Sequence, residues 1–370
     1  MPDRRPTARD AEAPQEPRRR TLILNQGHQG HPLVYVRLLV DALLDRADVP
    51  VLALPAAALH SPEFTLHLGA VADRCELVRS DEPITPALAH RLADRHRCAR
   101  VLVPDGDQFA TRLGLVGWRS AAQVVALVIR DPRLSGNPRP RHRAKMAVKG
   151  VLLRRTARLP RVRVLYLADH AETARRGRDA VADPILFDAA HLDPAEIRRD
   201  LGLSEDRFYF VVAGKITARK NLDMVLRGIL PLAAAKIGLF VCGELSPDVR
   251  TTIAPLLEQA RRLDVEVVLS DRLQSNHELN RAVQMADCLV TAYSNSAPPS
   301  TTTKGARAGR RVVVAGSEVT RMWARNLGIE LHCPLKQRAL DDLLRRALSS
   351  PVPPPIPGGD PRAFAEAFLC

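Results

Sequence analysis

Residues Val211–Asn221 read VVAGKITARKN. The apolar run that leads into them, Phe208–Gly214 (FYFVVAG), closes on glycine, is followed at once by Lys215, and brings in Lys220 five residues later at the start of a helical stretch. A short continuous run of aromatic and β-branched residues predicts a strand buried on both faces, as in a parallel sheet. Two cations beside a glycine turn and a helix N-terminus suit a pyrophosphate. In open α/β sheets ligands lie beyond the carboxyl ends of the strands, so the residues just after each strand are where chemistry is to be sought.

The same pattern recurs on both sides of this stretch. Towards the C-terminus, strands are predicted at Gly238–Gly243, Val265–Ser270, Cys288–Thr291 and Arg311–Ala315. Towards the N-terminus they are predicted at Thr21–Gly27 (TLILNQG), Val49–Leu54, Arg100–Pro104, Val124–Ile129 and Arg163–Leu167. Helical spacing fills the gaps. After the first strand, for instance, Val34, Leu38, Leu39, Ala42 and Leu43 fall on one face, and Pro32 suits a first turn. The pattern weakens around Ala180–Asp200. The fold class expected is therefore α/β, with two doubly wound Rossmann-like domains facing each other across a cleft. The boundaries drawn are a disordered segment at 1–20, an acceptor-side domain at 21–187, a donor-side domain at 188–350, and a proline-rich tail with a short helix (Pro361–Leu369) at 351–370.

Composition narrows the function. Of 370 residues, 46% are hydrophobic and 26% charged, which excludes disordered and collagen-like chains. No run of eighteen apolar residues occurs, and the first twenty residues, rich in charge and proline, lack the apolar stretch of a signal peptide; a cytoplasmic protein is expected. The formal net charge of +14 invites an anionic partner. Nucleic acid is not expected, because only 4% of residues are aromatic and no binding motif is present. The six cysteines form no CxxC pair and bracket no histidines, so buried thiols are expected rather than a metal site.

Three further segments carry candidate chemistry. The loop NQGHQGHP (Asn25–Pro32) places two glycines and two histidines just before a helix, where backbone approaches a ligand closely. His28 and His31 can contact substrate or act as a general base, the alternative being a helix cap and a solvated ring. The loop VPDGDQ (Val103–Gln108) presents Asp105 and Asp107 either for acceptor hydroxyls or as an Asp-Gly turn; two carboxylates alone make a poor metal cage. Residues 138–163 form a basic helix with Ala144, Val148, Val151 and Leu152 on one face and Arg141, Lys145 and Lys149 on another. Packing through the apolar face is the first expectation, and contact with anionic lipid the second.

The C-terminal half resembles GT-B glycosyltransferases, in particular retaining glycosyltransferase family four. That family's G-R-L-x-x-x-K-G/N corresponds in spacing to GKITARKN (Gly214–Asn221), with Lys215 in place of the arginine and Lys220 at the lysine. Its strand-end G-x-G/D corresponds to Gly243-Glu244. Its later motif aligns without a gap from Ala286 to Val313, matching Ala286, Asp287 and Gly309 and keeping Ala306 and Ala308 small, but its two glutamates fall on Ser296 and Lys304. The resemblance implies a GT-B architecture and transfer of a sugar from a nucleotide diphosphate sugar to an acceptor hydroxyl or amine with retention of configuration, in glycan or natural-product biosynthesis. It implies no bound cofactor or metal. Lys215 and Lys220, with His28, would then be catalytic. Gly27, Gly30, Gly214, Gly243, Glu244, Ser296, Thr301, Thr302, Thr303 and Lys304 would bind the donor, and His31, Asp105 and Asp107 the acceptor, a small molecule or a glycan. A lysine cannot accept a hydrogen bond from a ribose diol, so the alternative is a GT-B protein that has lost catalysis and serves as a binding or scaffold partner.

Overall fold

The computed structural model describes residues 18–27, 32–132, 140–168, 177–186, 193–295 and 300–370. Two wholly parallel sheets are present. The first contains β1 (Arg20–Leu24), β2 (Val49–Leu54), β3 (Glu76–Arg79), β4 (Arg100–Val103), β5 (Gln123–Val128), β6 (Val162–Ala168) and β7 (Ala180–Ala182), in the order β3-β2-β1-β4-β5-β6-β7. The second contains β8 (Phe208–Ala213), β9 (Ile237–Cys242), β10 (Glu266–Ser270), β11 (Cys288–Ala292), β12 (Arg311–Gly316) and β13 (His332–Pro334), in the order β10-β9-β8-β11-β12-β13. Each is doubly wound. The strand order reverses between β1 and β4 in one sheet and between β8 and β11 in the other, and a cavity in the cleft between the sheets opens beside the β8/β11 switch point.

All the predicted strands are present, with ends shifted by at most a few residues. The largest shift is at β1, which stops at Leu24 because Asn25 turns to hydrogen-bond the Gly27 carbonyl. Three short strands, β3, β7 and β13, escape the sequence pattern. They are three or four residues long and all lie at a sheet edge, β3 and β13 with only partial burial, so no apolar run marks them.

Helix packing departs from the reading in two places. On the Pro32–Asp45 helix the buried side chains are Leu33, Tyr35, Val36, Leu39, Val40 and Leu43, whereas Val34, Leu38 and Ala42 are only half-buried. The reason lies at the other end of the chain. The Pro361–Leu369 helix is not a tail; Phe364 and Phe368 are fully buried in the first domain's core, with the Phe364 ring 4.9 Å from that of Tyr35. The helix at 32–45 thus has apolar neighbours on two sides.

The basic helix spans Pro140–Thr156 and packs through Leu153 and Thr156, not through the predicted face: Ala144, Val148 and Val151 are exposed. Gly114 permits this seating, since a Cβ there would stand 2.4 Å from the Leu152 carbonyl oxygen. The cysteines form no disulfide. Cys98, Cys242, Cys288 and Cys333 are buried as expected, but Cys75 is half-buried and Cys370 exposed. Burial raises the thiols of Cys242 and Cys288 to about 12, so both stay protonated and unreactive. Among the described residues no helix is long and apolar enough to cross a membrane, and no cluster of His, Cys, Asp and Glu could hold a metal ion.

Two strands of backbone join the domains. Asp183–Leu186 leaves β7, and Ser350–Asp360 returns beside it, with Pro184 bridged to Gly359. Arg307 donates to the Ile185 carbonyl at 3.1 Å, and Asn276 and Asn280 both donate to that of Leu186, at 2.7 and 2.9 Å.

Candidate active site

A cavity of about 210 Å³ lies in the cleft at the β8/β11 switch point. The second domain contributes Gly214, Lys215, Arg219, Lys220, Gly243, Glu244, Tyr293, Thr301 and Lys304, and the first contributes Val34, Glu63 and His67. Local backbone chemistry builds its floor. Gly214 takes φ +85° and Gly243 φ +148°, and a Cβ on Gly243 would stand 2.3 Å from the Gly214 carbonyl oxygen, so two strand-end turns are pressed together as only glycine allows. Asn221, at φ +47°, donates through its side-chain amide to the Ala292 carbonyl at 2.8 Å. The Ser294 amide donates to the Arg219 carbonyl at 2.9 Å. These bonds lock the loop after β8 to the loop after β11.

Lys220 is 4% exposed. Its ammonium donates to the Ala213 carbonyl and stands 5.5 Å above the Tyr293 ring centroid; among the described residues no carboxylate pairs with it. Burial pulls its pKa below the usual lysine range. Such a cation is costly unless an anion completes it. Lys215 is less buried and lies 3.3 Å from the Glu244 carboxylate, at the cavity's lip.

Lys304 is the second buried cation of the cavity. It donates to Asn276 Oδ1 at 2.5 Å and Asn280 Oδ1 at 2.9 Å, and burial lowers it to about 8 while the charge of Asp183 partly supports it. Asp183, buried and raised to about 6, accepts the Tyr35 hydroxyl at 2.8 Å. Asp183, bonded to the first domain's leading helix, thus interacts through its charge with the buried cation of the cavity.

The other predicted residues are less uniform. Thr301 lines the cavity, its hydroxyl 3.1 Å from that of Tyr293. Thr302 and Thr303 do not: the Thr302 hydroxyl bonds Thr291, and Thr303 accepts the Trp323 indole N–H, so both are turned into the second domain, away from any donor. Gly27 is placed against Pro32 and Asp105 and is not a wall of this cavity. Asp105 opens to solvent on one side, yet the protein packed around it, and then the charge of Asp107, raise its carboxyl above the usual range. Asp107 accepts Lys149 Nζ at 2.5 Å and the Arg130 amide, so its oxygens tie a helix and a strand end together instead of standing open to an acceptor. His28, Gly30, His31 and Ser296 lie outside the described residues.

Several lining residues had no signal in the sequence. Glu63, buried, and His67, whose burial lowers its pKa and keeps it neutral near pH 7, come from the Pro62–Leu68 helix, an unremarked connection between strands. Asn276 and Asn280 were legible in principle, being four residues apart on a helix that opens with a Ser275/Glu278 capping box.

No protein-family profile matches the chain, and no curated protein does. Solved structures do. A glycosyltransferase from Rickettsia africae superposes with a TM-score of 0.61 at 9% identity, covering 95% of this chain and 92% of that one. HepE from Anabaena, solved in complex with UDP, gives 0.62 at 13% identity, covering 94% and 93%. Sucrose-phosphate synthase from Thermosynechococcus elongatus gives 0.60 at 15%, covering 95% and 93%. At such identities the likeness is one of fold. The chain has the GT-B fold: two doubly wound α/β domains with a cation-floored cavity in the cleft between them.

Proposed function

We propose that the protein is a glycosyltransferase that moves a sugar from a nucleotide diphosphate sugar to an acceptor hydroxyl or amine, in the manner of the retaining enzymes of family four. The observation that carries this reading is Lys220, a buried cation without a carboxylate partner among the described residues, held at the strand-order switch point by a glycine turn on one side and Tyr293 on the other. Breaking the bond from sugar to diphosphate develops negative charge on the leaving phosphate, and a fixed cation in a site shielded from water stabilises that charge most. Lys215 at the lip neutralises the second phosphate. Departure and attack on one face of the sugar need no protein nucleophile, which agrees with a cavity floored by cations.

Lys304 has no lone pair to offer a ribose diol, so a donor's ribose would be read by other groups, and Lys304 would favour negative charge on the donor. A scaffold without activity fits less well, because nothing in a purely structural role rewards keeping an ammonium buried without a carboxylate. The basic Pro140–Thr156 helix, with Val148 and Val151 exposed, suits contact with an anionic membrane surface.

The test is turnover. Purified protein is incubated with nucleotide diphosphate sugars and candidate acceptors, and released nucleoside diphosphate is followed by mass spectrometry. Release that depends on acceptor and disappears in Lys220→Met supports the proposal. Absence of any stabilising nucleoside diphosphate in a thermal-shift series overturns it.

A further inference from the structure

A second cavity, of about 680 Å³, adjoins the first, and Asn295 lines both. Its walls come from the helices Asp107–Val116 and Pro140–Thr156, the end of β5, and, across the cleft, Val319 and Trp323. Two features set its chemistry. The basic side chains Arg112, Arg130, Lys145 and Lys149 outnumber the carboxylates Asp107 and Asp131, and Asp107 is already held by Lys149. The rest of the wall mixes Gln108, Thr111, His142 and Asn295 with a hydrocarbon face: Ile129, Met146, Val148 and Leu152 on one side, Trp323 on the other.

That lining favours an anion over a neutral polyol. Gln108, Thr111 and Asn295 offer neutral acceptors to hydroxyls, but the carboxylates are partnered and basic side chains outnumber them. It is right for a molecule with an anionic head and an apolar body. The apolar wall also runs outward: Leu115 is 60%, Val116 62%, Val148 60% and Val151 55% exposed, and these four lie on the two helices that form the cavity. Apolar side chains left in water beside a cavity mark a place where hydrocarbon enters.

We infer that this cavity takes an anionic amphiphile, with a phosphate-class head among Arg130 and Lys145 and an alkyl body against Met146 and Val148, and that this molecule is the acceptor. The word acceptor rests on the function proposed above; the ligand class does not.

Calorimetry with octyl phosphate below its micellar concentration tests it without any sugar transfer. Octyl phosphate is expected to bind at least about tenfold more tightly than either inorganic phosphate or octyl glucoside, a difference of about 1.4 kcal/mol. Lys145→Gln and Val148→Ser, both at exposed positions where the fold has little at stake, are each expected to weaken it several-fold and leave UDP binding unchanged. Equal affinity for octyl glucoside refutes the anionic head, and equal affinity for inorganic phosphate refutes the apolar body. Binding to phosphatidylglycerol vesicles with none to monomeric octyl phosphate refutes the cavity in favour of surface adsorption. If octyl phosphate binds as expected and no nucleoside diphosphate does, the donor reading fails while the ligand class stands.

Discussion

Replacing Lys220 by methionine separates a residue that waits for an anion from one that holds the fold together. Methionine keeps the length and removes the charge. In the unliganded protein the change loses a hydrogen bond to the Ala213 carbonyl, about 1 kcal/mol, and a cation over the Tyr293 ring, about 1 kcal/mol more. Against these stands the desolvation of a buried ammonium, several kcal/mol before its partners are counted, a cost already visible in the lowered pKa. The two sides offset, so Lys220→Met is expected to melt within about 2–4 °C of the wild type, equivalent to about 1 kcal/mol for a domain of this size. Ligand binding has no such offset. A diphosphate placed in the cavity loses its buried counter-charge, which costs about 3 kcal/mol or more, at least about a hundredfold in Kd. Calorimetric melting without ligand and titration with UDP read the two quantities separately. A variant that binds UDP within about tenfold of wild type, or that melts more than about 8 °C lower without ligand, refutes the reasoning.

Other perturbations test other links. Gly243→Ala forces a Cβ to 2.3 Å from the Gly214 carbonyl at a backbone angle that side chains avoid; a loss of about 2–4 kcal/mol in urea unfolding is expected, and unchanged stability would show that the two turns are not pressed together. Asp183, at about 6 in the fold against 3.8 ordinarily, keeps its proton in the native state while the unfolded chain has released it. Stability should therefore fall by about 1.4 kcal/mol per pH unit as pH rises from about 4 to 6, and Asp183→Asn should flatten that slope in denaturation midpoints measured across the window. Lys304, at about 8 against 10.5, has the opposite sign: above pH 8 the unfolded chain holds the extra proton, so stability recovers with rising pH up to about 10, and Lys304→Met should remove the recovery. Phe368→Ala should cost about 3–5 kcal/mol, read from the melting of the first domain; a near-silent change would mean that the C-terminal helix is an appendage after all.

Most of the fold was legible because buried parallel strands write themselves as short apolar runs with no alternation, and every such run became a strand. Edge strands of only three or four residues are too short to carry such a run, which is why Glu76–Arg79, Ala180–Ala182 and His332–Pro334 went unread, whereas the longer edge strand Glu266–Ser270 was legible. The cationic floor of the first cavity was legible for a local reason: Gly214, Lys215, Lys220 and Asn221 lie within eight residues of sequence, in the loop that follows one strand. Thr302 and Thr303 misled because a hydroxyl near a helix start looks the same whether it faces a ligand or the core; Trp323 and Thr291, distant in sequence, decided it. Asp107 does line the second cavity, but its partner was not legible, since Lys149 arrives from a helix more than thirty residues on.

By itself the sequence determined ten of the thirteen strands described, the doubly wound character of two α/β domains and the cationic turn, all set by burial of side chains and by backbone geometry within a few residues. Only the tertiary structure decided what fills the cleft. The Pro361–Leu369 helix crosses back to the first domain because Phe364 and Phe368 find Tyr35 there. Lys304 is buried among amides from another helix, and the second cavity is walled jointly by both domains. These contacts join residues far apart along the chain, and their energies depend on shape and charge brought together in three dimensions, which no local pattern encodes.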